Sequence, residues 1–131
     1  MIPTKGVCCD AAHSMKNKKT EYKAVDLETG EVLFYKDLGN QTTNIGEFLG
    51  LIESVKWVLA NKKEKTDIYC DSNTAISWFS GRYTSSNKQN DDLFKAEIFL
   101  QAMASKIAEM VEVKKWDSQM WGENPADFGN K

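Results

Sequence analysis

Four acidic residues stand where predicted secondary-structure elements begin or end. Asp10 ends the run VCCD and Asp71 ends the run IYCD, so each is expected to close a buried strand. Glu47 lies in the first turn of a predicted helix, and Asp127 lies in the closing segment WGENPADFGNK. Carboxylates at the ends of neighbouring parallel strands emerge at the same sheet edge, where ligands of open α/β sheets bind. The four positions therefore predict one cluster of carboxylates.

Such a cluster would suit divalent cations. Carboxylates that converge without a nearby lysine or arginine repel one another, and bound cations remove that repulsion. Oxygen ligands favour Mg²⁺ or Mn²⁺, and two such ions about 4 Å apart are the machinery of phosphodiester hydrolysis. The spacing alone is weak evidence, because the chain has 19 acidic residues and four of them can fall at element ends as caps or solvated charges.

The composition is that of an ordinary soluble protein without a membrane segment. No apolar run approaches the roughly 18 residues of a membrane-spanning helix, and the N-terminal MIPTKGVCC lacks a signal-peptide pattern. The three cysteines are an odd number and two of them are adjacent, so we expect reduced thiols in a cytoplasmic protein. A net charge of −2 gives no overall positive field, although lysines cluster in KNKK and NKKEK.

The apolar periodicity predicts an α/β fold with a mixed sheet covered by helices. KGVCCDAA reads as a strand, and TEYKAVDLETGEVLFYKDL reads as a hairpin. A helix with Asn44 as N-cap follows, then the strand TDIYC and a short helix capped by Ser72. A second long helix is expected from Asp91 to Met110, before the last strand VEVKKW. The order β-β-β-α-β-α-α-β-α gives three antiparallel strands plus two parallel ones, five in all.

Several short sequence motifs resemble those of a known family. Asn stands two residues before Gly-Glu at a helix start (NIGE), Asp-Ser opens another helix, and Trp-Gly-Glu precedes Asp near the end. With VCCDAA, these words resemble ribonuclease H of the type 1 class, in its compact bacterial branch without the extra basic helix. The resemblance covers Gly6 to Lys131. It implies the ribonuclease H-like fold and a single catalytic domain over residues 1–131, with no separate hybrid-binding domain.

The resemblance implies a metal-dependent endonuclease that hydrolyses the RNA strand of RNA–DNA hybrids. It would use two Mg²⁺ ions, with Mn²⁺ as a substitute, and would leave 3′-hydroxyl and 5′-phosphate ends. We expect a monomer that needs no obligate protein partner and no membrane.

The resemblance also assigns a role to each acid. Asp10 would bridge both ions, and Asp127 would hold the ion that activates the attacking water. Glu47 and Asp71 would hold the ion that faces the leaving 3′-oxygen. Glu123 matches a mobile acid near the water-side ion that helps to release product. The implied catalytic set is therefore Asp10, Glu47, Asp71, Glu123 and Asp127.

A further set of residues matches the family's contacts to nucleic acid. Glu47 and the backbone from Ala12 to Met15 match contacts to the 2′-hydroxyls, which only the RNA strand carries. Trp78 falls where an aromatic ring packs against a deoxyribose, or else it packs in the core. The full set is Ala12, His13, Met15, Lys16, Thr42, Thr43, Asn44, Asn73, Trp78, Ser85 and Ser86.

The resemblance implies two kinds of contact for the polar residues of this set, one with base edges and one with a phosphate of the DNA strand. Thr43 and Asn73 fall where side chains reach the minor groove. Thr42 and Asn44 match a phosphate pocket that Ser85 or Ser86 would complete. His13, the only histidine, is not assigned the role of the loop histidine that another branch places near its site. Its side chain is expected to be in a loop and in contact with solvent.

One stretch, DAAHSMKNKKTEY, departs from the family pattern of a Gly-Asn-Pro-Gly turn. Met15 and Lys18 replace glycines, but the spacing fits without a gap, so we expect the hairpin to form. Met15 could obstruct a close approach of the backbone to RNA. Lys16, Lys18 and Lys19 could offset this by meeting phosphates.

Two other functions are compatible with the sequence. The chain could be a hybrid-binding module with weak or no turnover because of the altered turn, or a nuclease of the same superfamily that acts on structured DNA. The presence of all four acids argues against the binding module. Asn44 and Trp78, if they face DNA, argue against the nuclease for structured DNA.

Overall fold

The sheet is five-stranded and mixed, as predicted. The computed structural model describes residues 2–86 and 90–128. The strands are β1 (Val7–Ser14), β2 (Lys19–Asp26), β3 (Val32–Asp37), β4 (Thr66–Cys70) and β5 (Val111–Lys115). Their order across the sheet is β3-β2-β1-β4-β5. The pairs β1–β2 and β2–β3 are antiparallel, and the pairs β1–β4 and β4–β5 are parallel.

Helices follow β3, β4 and β5 along the chain. They are α1 (Thr43–Asn61), α2 (Asn73–Gly81), α3 (Asp91–Ala102), α4 (Ala104–Met110) and α5 (Ser118–Trp121). Across residues 2–86 and 90–128, no helix is both long enough and apolar enough to span a bilayer.

Strand β1 is covered on both faces, which explains its apolar run. Side chains alternate along a strand, so Cys9 and Ala11 share the larger core with α1, whereas Cys8 lies in a smaller cluster on the opposite face. That smaller cluster also contains Trp116 and Ala126 from the last part of the chain. Because β1 is central and buried on both faces, it is a rigid base for Asp10.

The long helix predicted from Asp91 to Met110 is wrong, because the structure has two helices there. Met103 separates α3 from α4 with φ −103° and ψ 14°, which is not helical geometry. Hydrogen bonds still cross the break, since the Ile107 N–H donates to the Met103 carbonyl at 2.9 Å. Met103 is 37% exposed, whereas Ile107 and Met110 are buried. The break lets α4 turn its apolar side chains back to the core while the apolar period of the sequence continues.

Helix α1 begins two residues earlier than predicted. Its N-cap is Thr42 rather than Asn44, because Thr42 Oγ1 accepts a hydrogen bond from the Ile45 N–H at 3.2 Å. The predicted cap of α2 is confirmed: Ser72 Oγ accepts from the Ala75 N–H at 3.1 Å.

Two glycines let α1 lie close to the sheet. A Cβ added at Gly46 would lie 2.7 Å from Cγ2 of Thr20, and one at Gly50 would lie 3.1 Å from Cβ of Tyr22. Both contacts are tighter than a side chain tolerates without movement of its neighbours. The closeness of α1 to β2 at Gly46 fixes the position of the next residue, Glu47.

The hairpin between β1 and β2 forms despite its unusual turn, as expected. The antiparallel register continues to the pair Ser14 and Lys19. Lys18 has φ 48°, a left-handed conformation that glycine adopts more easily, and the Asn17 N–H donates to Ser14 Oγ at 3.2 Å. Met15 is 84% exposed. A lysine thus takes the backbone conformation of one replaced glycine.

Candidate active site

Three of the four predicted carboxylates meet at one edge of the sheet. Asp10, Glu47 and Asp71 each offer an oxygen, and these oxygens all lie within 4.8 Å of one another. The parallel pairing of β1 with β4 ends at Cys9 and Cys70. Asp10 and Asp71 directly follow these two residues along the chain, so their carboxylates emerge together, as predicted from the sequence.

Asp10 is not at the end of its strand, contrary to the prediction. Strand β1 continues to Ser14 because its other neighbour, β2, pairs with it over the whole hairpin. On its other edge, β1 pairs with β4, and this pairing stops just before Asp10. The site therefore lies where one edge of β1 loses its strand partner.

Glu47 is buried and is oriented by the backbone of β1. Its Oε1 accepts a hydrogen bond of 2.5 Å from the Ala11 N–H, which also lies 2.9 Å from Asp10 Oδ1. The sequence had placed Glu47 in the first turn of the helix. Because α1 begins earlier, at Thr43, Glu47 lies beyond the first turn. This position brings it to the sheet instead of leaving it at the helix N-terminus.

Burial and neighbouring acids change the protonation of the cluster. Burial, followed by a hydrogen bond and charge repulsion from Asp10, raises the pKa of Glu47 from 4.5 to about 10. The three carboxylates therefore do not all carry charge at neutral pH when only protons balance them. A divalent cation would displace the proton and compensate the charges, so this all-oxygen donor set fits Mg²⁺ or Mn²⁺.

One lysine contacts the main chain of a residue in the cluster. Lys115, the last residue of β5, donates from Nζ to the backbone carbonyl of Asp71. This hydrogen bond holds a lysine side chain at the main chain of one residue of the cluster. Sequence reasoning missed Lys115 because its approach depends on the pairing of β5 with β4.

The segment that carries Asp127 is tied to the strand that carries Asp10. Asn124 is buried, and its Nδ2 donates to the carbonyl of Cys9 at 3.0 Å. Its Oδ1 accepts from the Ala126 N–H at 2.8 Å, and its carbonyl accepts from the Asp127 N–H at 2.8 Å. Asn124 was missed from the sequence, although its place between the two acids of ENPAD could have suggested a structural role.

A cluster of aromatic rings packs against the start of the same segment. The rings of Trp116 and Trp121 pack edge to face with their centroids 5.1 Å apart, and both pack edge to face on Tyr69. Trp116 Nε1 donates to the carbonyl of Gly122 at 2.9 Å. The lead-in to the terminal acids is therefore packed onto the sheet.

Asp127 and Glu123 lie outside the compact carboxylate group. Within residues 2–86 and 90–128, the acids whose oxygens lie within 4.8 Å of one another are Asp10, Glu47 and Asp71. Asp127 is half-buried next to Ala126, which packs in the cluster of Cys8. Glu123 is exposed. The structure brings Asp127 to the region of Asp10, and its role as a metal ligand remains a prediction.

A cleft of about 400 Å³ opens over the three carboxylates. Four residues that the resemblance assigned to nucleic-acid contacts line it, namely Ala12, His13, Thr43 and Asn44. Thr42, which caps α1, immediately precedes Thr43. The structure thus brings the predicted contacts of the first hairpin and of the start of α1 to one cleft with the acids.

The other predicted contacts lie in different surroundings. Asn73 is the exposed first residue of α2, and Met15 and Lys16 are exposed in the turn between β1 and β2. Ser85 is exposed beyond α2, and Ser86 is half-buried. Trp78 is buried, and its ring packs edge to face on Phe48 with centroids 5.6 Å apart. This position matches the core-packing alternative for Trp78, and a contact with deoxyribose remains a prediction.

His13 lies in a strand and not in the loop that was expected. It lies in β1, is half-buried, and places Nδ1 2.7 Å from Oγ1 of Thr20 on β2. Thr20 is fully buried and was missed from the sequence, because one threonine in an alternating strand gives no signal of a polar role.

The fold and the site can be compared with known proteins. No protein-family model matches the sequence. The N-terminal RNase H domain of Rv2228c from Mycobacterium tuberculosis, solved as a fusion with maltose-binding protein, is 22% identical, with a TM-score of 0.59 over 86% of this chain and 83% of that chain. LC11-RNase H1, isolated from compost by a metagenomic approach, is 16% identical, with a TM-score of 0.61 over 90% of this chain and 88% of that chain.

LC11-RNase H1 has also been solved in complex with an RNA/DNA hybrid. That structure is 14% identical to this chain, with a TM-score of 0.56 over 87% of this chain and 86% of that chain. Identities this low establish the fold and not the activity. The five-stranded mixed sheet with its helices is a ribonuclease H-like fold.

Proposed function

We propose that this protein is a metal-dependent ribonuclease H that hydrolyses the RNA strand of RNA–DNA hybrids. The observation that carries the proposal is the meeting of Asp10, Glu47 and Asp71, with oxygens within 4.8 Å, in a ribonuclease H-like fold. The complex of LC11-RNase H1 with an RNA/DNA hybrid supports the choice of substrate.

Divalent cations are the proposed cofactor. Asp10, Glu47 and Asp71, with Asp127 as the fourth ligand, would hold two Mg²⁺ ions, and Mn²⁺ would substitute. When bound, such ions would activate a water and stabilise the negative charge that develops on the phosphate. The proposed products carry 3′-hydroxyl and 5′-phosphate ends. The Ala11 N–H fixes one oxygen of Glu47 by a 2.5 Å hydrogen bond, so the protein positions this ligand itself. Glu123 is proposed to assist product release.

The cleft provides groups that suit two different strands. The backbone from Ala12 to Met15 would contact 2′-hydroxyls of the RNA strand, and Thr43 would reach base edges. Thr42 and Asn44 would hold a phosphate of the DNA strand. The location of Thr43 and Asn44 in the same cleft as the acids supports this arrangement. The proposed binding surface would extend beyond the cleft through three further groups: Asn73, Lys16 and the Ser85–Ser86 pair.

The setting of the enzyme is part of the proposal. We propose that the chain acts as one catalytic domain and as a monomer, without an obligate protein partner, in the cytoplasm. Cys8, Cys9 and Cys70 are free and buried, which suits a reducing compartment.

The test is cleavage of three labelled duplexes: an RNA–DNA hybrid, duplex RNA and duplex DNA, each with Mg²⁺, with Mn²⁺ and with a chelator. Asp10→Asn, purified in parallel, is the control for contaminating nucleases, and a melting curve checks that it is folded. We expect the parent to cut only the RNA of the hybrid, only with a divalent cation, and to leave 5′-phosphate ends. Asp10→Asn should lose cleavage altogether.

Other results would select other functions. Tight hybrid binding without turnover would indicate a binding module, and cleavage of structured DNA but not of hybrid would indicate a different nuclease. Near-parental turnover by Asp10→Asn would exclude the assigned metal site.

A further inference from the structure

Phe128, the residue after Asp127, docks onto the antiparallel half of the sheet. The ammonium group of Lys23 on β2 lies 4.8 Å from the centroid of its ring. The ring of Tyr35 on β3 lies beside it, with the two centroids 6.3 Å apart and the planes tilted by 57°. A cation over a ring face and a second ring next to it both attract an aromatic side chain. Specific interactions therefore hold Phe128, which is half-buried.

The register of the sheet places this docking surface beside Asp10. Lys23 pairs with Asp10 across β1 and β2, and it pairs with Tyr35 across β2 and β3. Direct partners on neighbouring strands share one face of a sheet, so these three residues form a row on the same face. Neighbouring strands are about 4.8 Å apart, so the groups that hold Phe128 begin one strand away from Asp10.

The Tyr35 ring is itself held in place. Its hydroxyl donates to the carboxylate of Glu21 on β2. Glu21 also forms an ion pair with Lys19, with Nζ and Oε2 3.4 Å apart. Phe128 therefore meets a ring that is already oriented, and the docking surface exists before the closing segment packs on it.

Asp127 lies between two anchored points of the chain. Before it, Ala126 is fully buried, and the Asp127 N–H donates to the Asn124 carbonyl at 2.8 Å. After it, the ring of Phe128 is held by its two contacts with the sheet. Fixing the chain on both sides of one residue restricts its backbone, and so limits the positions that its carboxylate can reach. A ligand that is restricted in this way binds with a smaller loss of entropy.

We propose that Phe128 is a positioning residue for the metal site. Docking of its ring on β2 and β3 keeps the Asp127 carboxylate near Asp10, where the two share one cation. This inference rests on the proposed function, in which Asp127 is the fourth ligand. Without the ring contacts, Asp127 would be in place for only part of the time, and the affinity for the cation that it binds would fall by that fraction.

The first measurement is Mn²⁺ binding to the folded protein, by calorimetry and by electron paramagnetic resonance of the free ion. Phe128→Ala should weaken the binding of the cation that needs Asp127 by about threefold to tenfold, the value of an aromatic contact together with a cation–π contact. Phe128→Tyr keeps the ring and should bind Mn²⁺ like the parent. Phe94→Ala, which removes a 64% exposed phenylalanine of α3, should also match the parent.

A double variant separates positioning from a general structural role. In the Asp127→Asn protein the fourth ligand is already impaired, so adding Phe128→Ala should change the Mn²⁺ affinity by less than about twofold. Equal weakening in both backgrounds would refute the proposal, because the ring would then act by another route, such as holding the Lys23 ammonium away from Asp10. Melting curves check that every variant is folded.

Cleavage of hybrid gives an independent readout. The Mg²⁺ concentration that gives half of the maximal rate should rise about threefold to tenfold in Phe128→Ala, because Mg²⁺ must also hold the closing segment in place. The KM for hybrid at saturating Mg²⁺ should stay at the parental value. A raised KM with an unchanged Mg²⁺ requirement would overturn the proposal and indicate a contact with the substrate.

The possible failures are distinguishable. If the parent cleaves hybrid and Phe128→Ala binds Mn²⁺ like the parent, the positioning role is refuted while the proposed function stands. If Asp127→Asn binds Mn²⁺ like the parent, Asp127 is not a ligand and the inference fails with it. If the parent does not cleave hybrid, the proposed function fails, and Mn²⁺ binding by the parent, the two single variants and the double variant still decides whether Phe128 positions Asp127.

Discussion

At the scale of single residues, the carboxylate group keeps a proton that a free glutamate would lose. The folded state holds the proton of Glu47 up to about pH 10, whereas an unfolded chain releases it near 4.5. The unfolded state therefore binds fewer protons in between, so the metal-free protein should lose stability as pH rises through this range. Glu47→Gln should flatten this dependence and melt a few degrees higher than the parent in alkaline buffer.

Thermal melting across pH, with a chelator present, tests this expectation. Glu53→Gln, in the same helix but with a side chain that is 42% exposed, is the matched control and should keep the parental slope. A parent whose melting temperature is unchanged or rises between mildly acidic and alkaline pH would contradict the prediction. Saturating Mg²⁺ should remove the difference between the parent at high and low pH, because the cation takes the place of the proton.

All three thiols are buried, and two of them, Cys8 and Cys9, should be inert in the folded protein. Burial raises the pKa of Cys8 to about 12, and a hydrogen-bonded neighbour, Cys70, together with burial raises the pKa of Cys9 well above its usual value. The hydrogen bond with Cys9 lowers the pKa of Cys70, so it is burial that shields this thiol from reagent. We expect no alkylation of Cys8 or Cys9 in the native protein at about pH 8 and reaction of all three cysteines in denaturant, because the thiolate is the reactive form.

A variant tests whether the cysteines that precede Asp10 and Asp71 have a structural role only. Cys9→Ala with Cys70→Ala should keep parental turnover and lose some thermal stability from the vacated core volume. Mass spectrometry follows the alkylation. Rapid labelling of the native protein, or loss of activity in a folded double variant, would indicate a functional thiol.

At the scale of elements, the distance between α1 and the sheet controls Glu47. Gly46→Ala would place a Cβ 2.7 Å from Cγ2 of Thr20 and 3.2 Å from Cβ of Ala11, so the helix must move outward. Overpacking of this kind costs about 1–3 kcal/mol of stability. We expect turnover to fall at least tenfold, because reacting groups tolerate little displacement.

The matched control for this helix shift is another glycine-to-alanine change. Gly81→Ala, at the end of α2, has nothing within 4 Å of its added Cβ and should be close to neutral in both stability and turnover. Melting curves and steady-state kinetics of the two variants provide the comparison. Equal behaviour of Gly46→Ala and Gly81→Ala would show that the close approach of α1 is not required.

Elements with one dominant periodicity were predictable from the sequence, and the prediction was wrong at two positions, Met103 and Asp10. The strands, the hairpin and α1 follow from alternation and from a helical stripe. The break at Met103 could not be seen, because the apolar period continues through it. Asp10 was placed at a strand end because pairing with β2 beyond it is not encoded locally.

The parts of the site that sequence reasoning missed depend on residues far apart in the chain. The hydrogen bond from Asn124 to Cys9 and the contact of Lys115 with Asp71 arise only when distant strands pair. The acids themselves were found because each stands in a recognisable short motif next to a predicted strand or helix. Asn124 and Lys115, which hold them in place, stand in no such motif.

At the scale of the whole molecule, a chain of net charge −2 must bind a polyanion through local groups. Lys16→Ala should lower the salt slope of hybrid binding by up to about one unit if this exposed lysine meets a phosphate. Thr42→Ala with Asn44→Ala should weaken binding roughly tenfold or more and leave the slope unchanged, because neither side chain is charged.

The measurement for these variants is hybrid affinity against salt concentration. Thr42→Ser keeps the hydroxyl that caps α1 and that is proposed to hold the phosphate, so it should bind hybrid like the parent, and melting curves show whether Thr42→Ala weakens the helix. A double variant that binds hybrid like the parent would refute the DNA-phosphate pocket. An unchanged slope for Lys16→Ala would place Lys16 away from the phosphates.

The edge-to-face pair of Trp116 and Trp121 also has an optical consequence. Two indoles with centroids 5.1 Å apart couple their electronic transitions, and such coupling gives a paired positive and negative band in circular dichroism. Trp116 also holds the Gly122 carbonyl, at the start of the segment that leads to Asp127. The protein therefore contains an unlabelled exciton reporter, and the amplitude of this band would follow the docking of the terminal acids as cation is added.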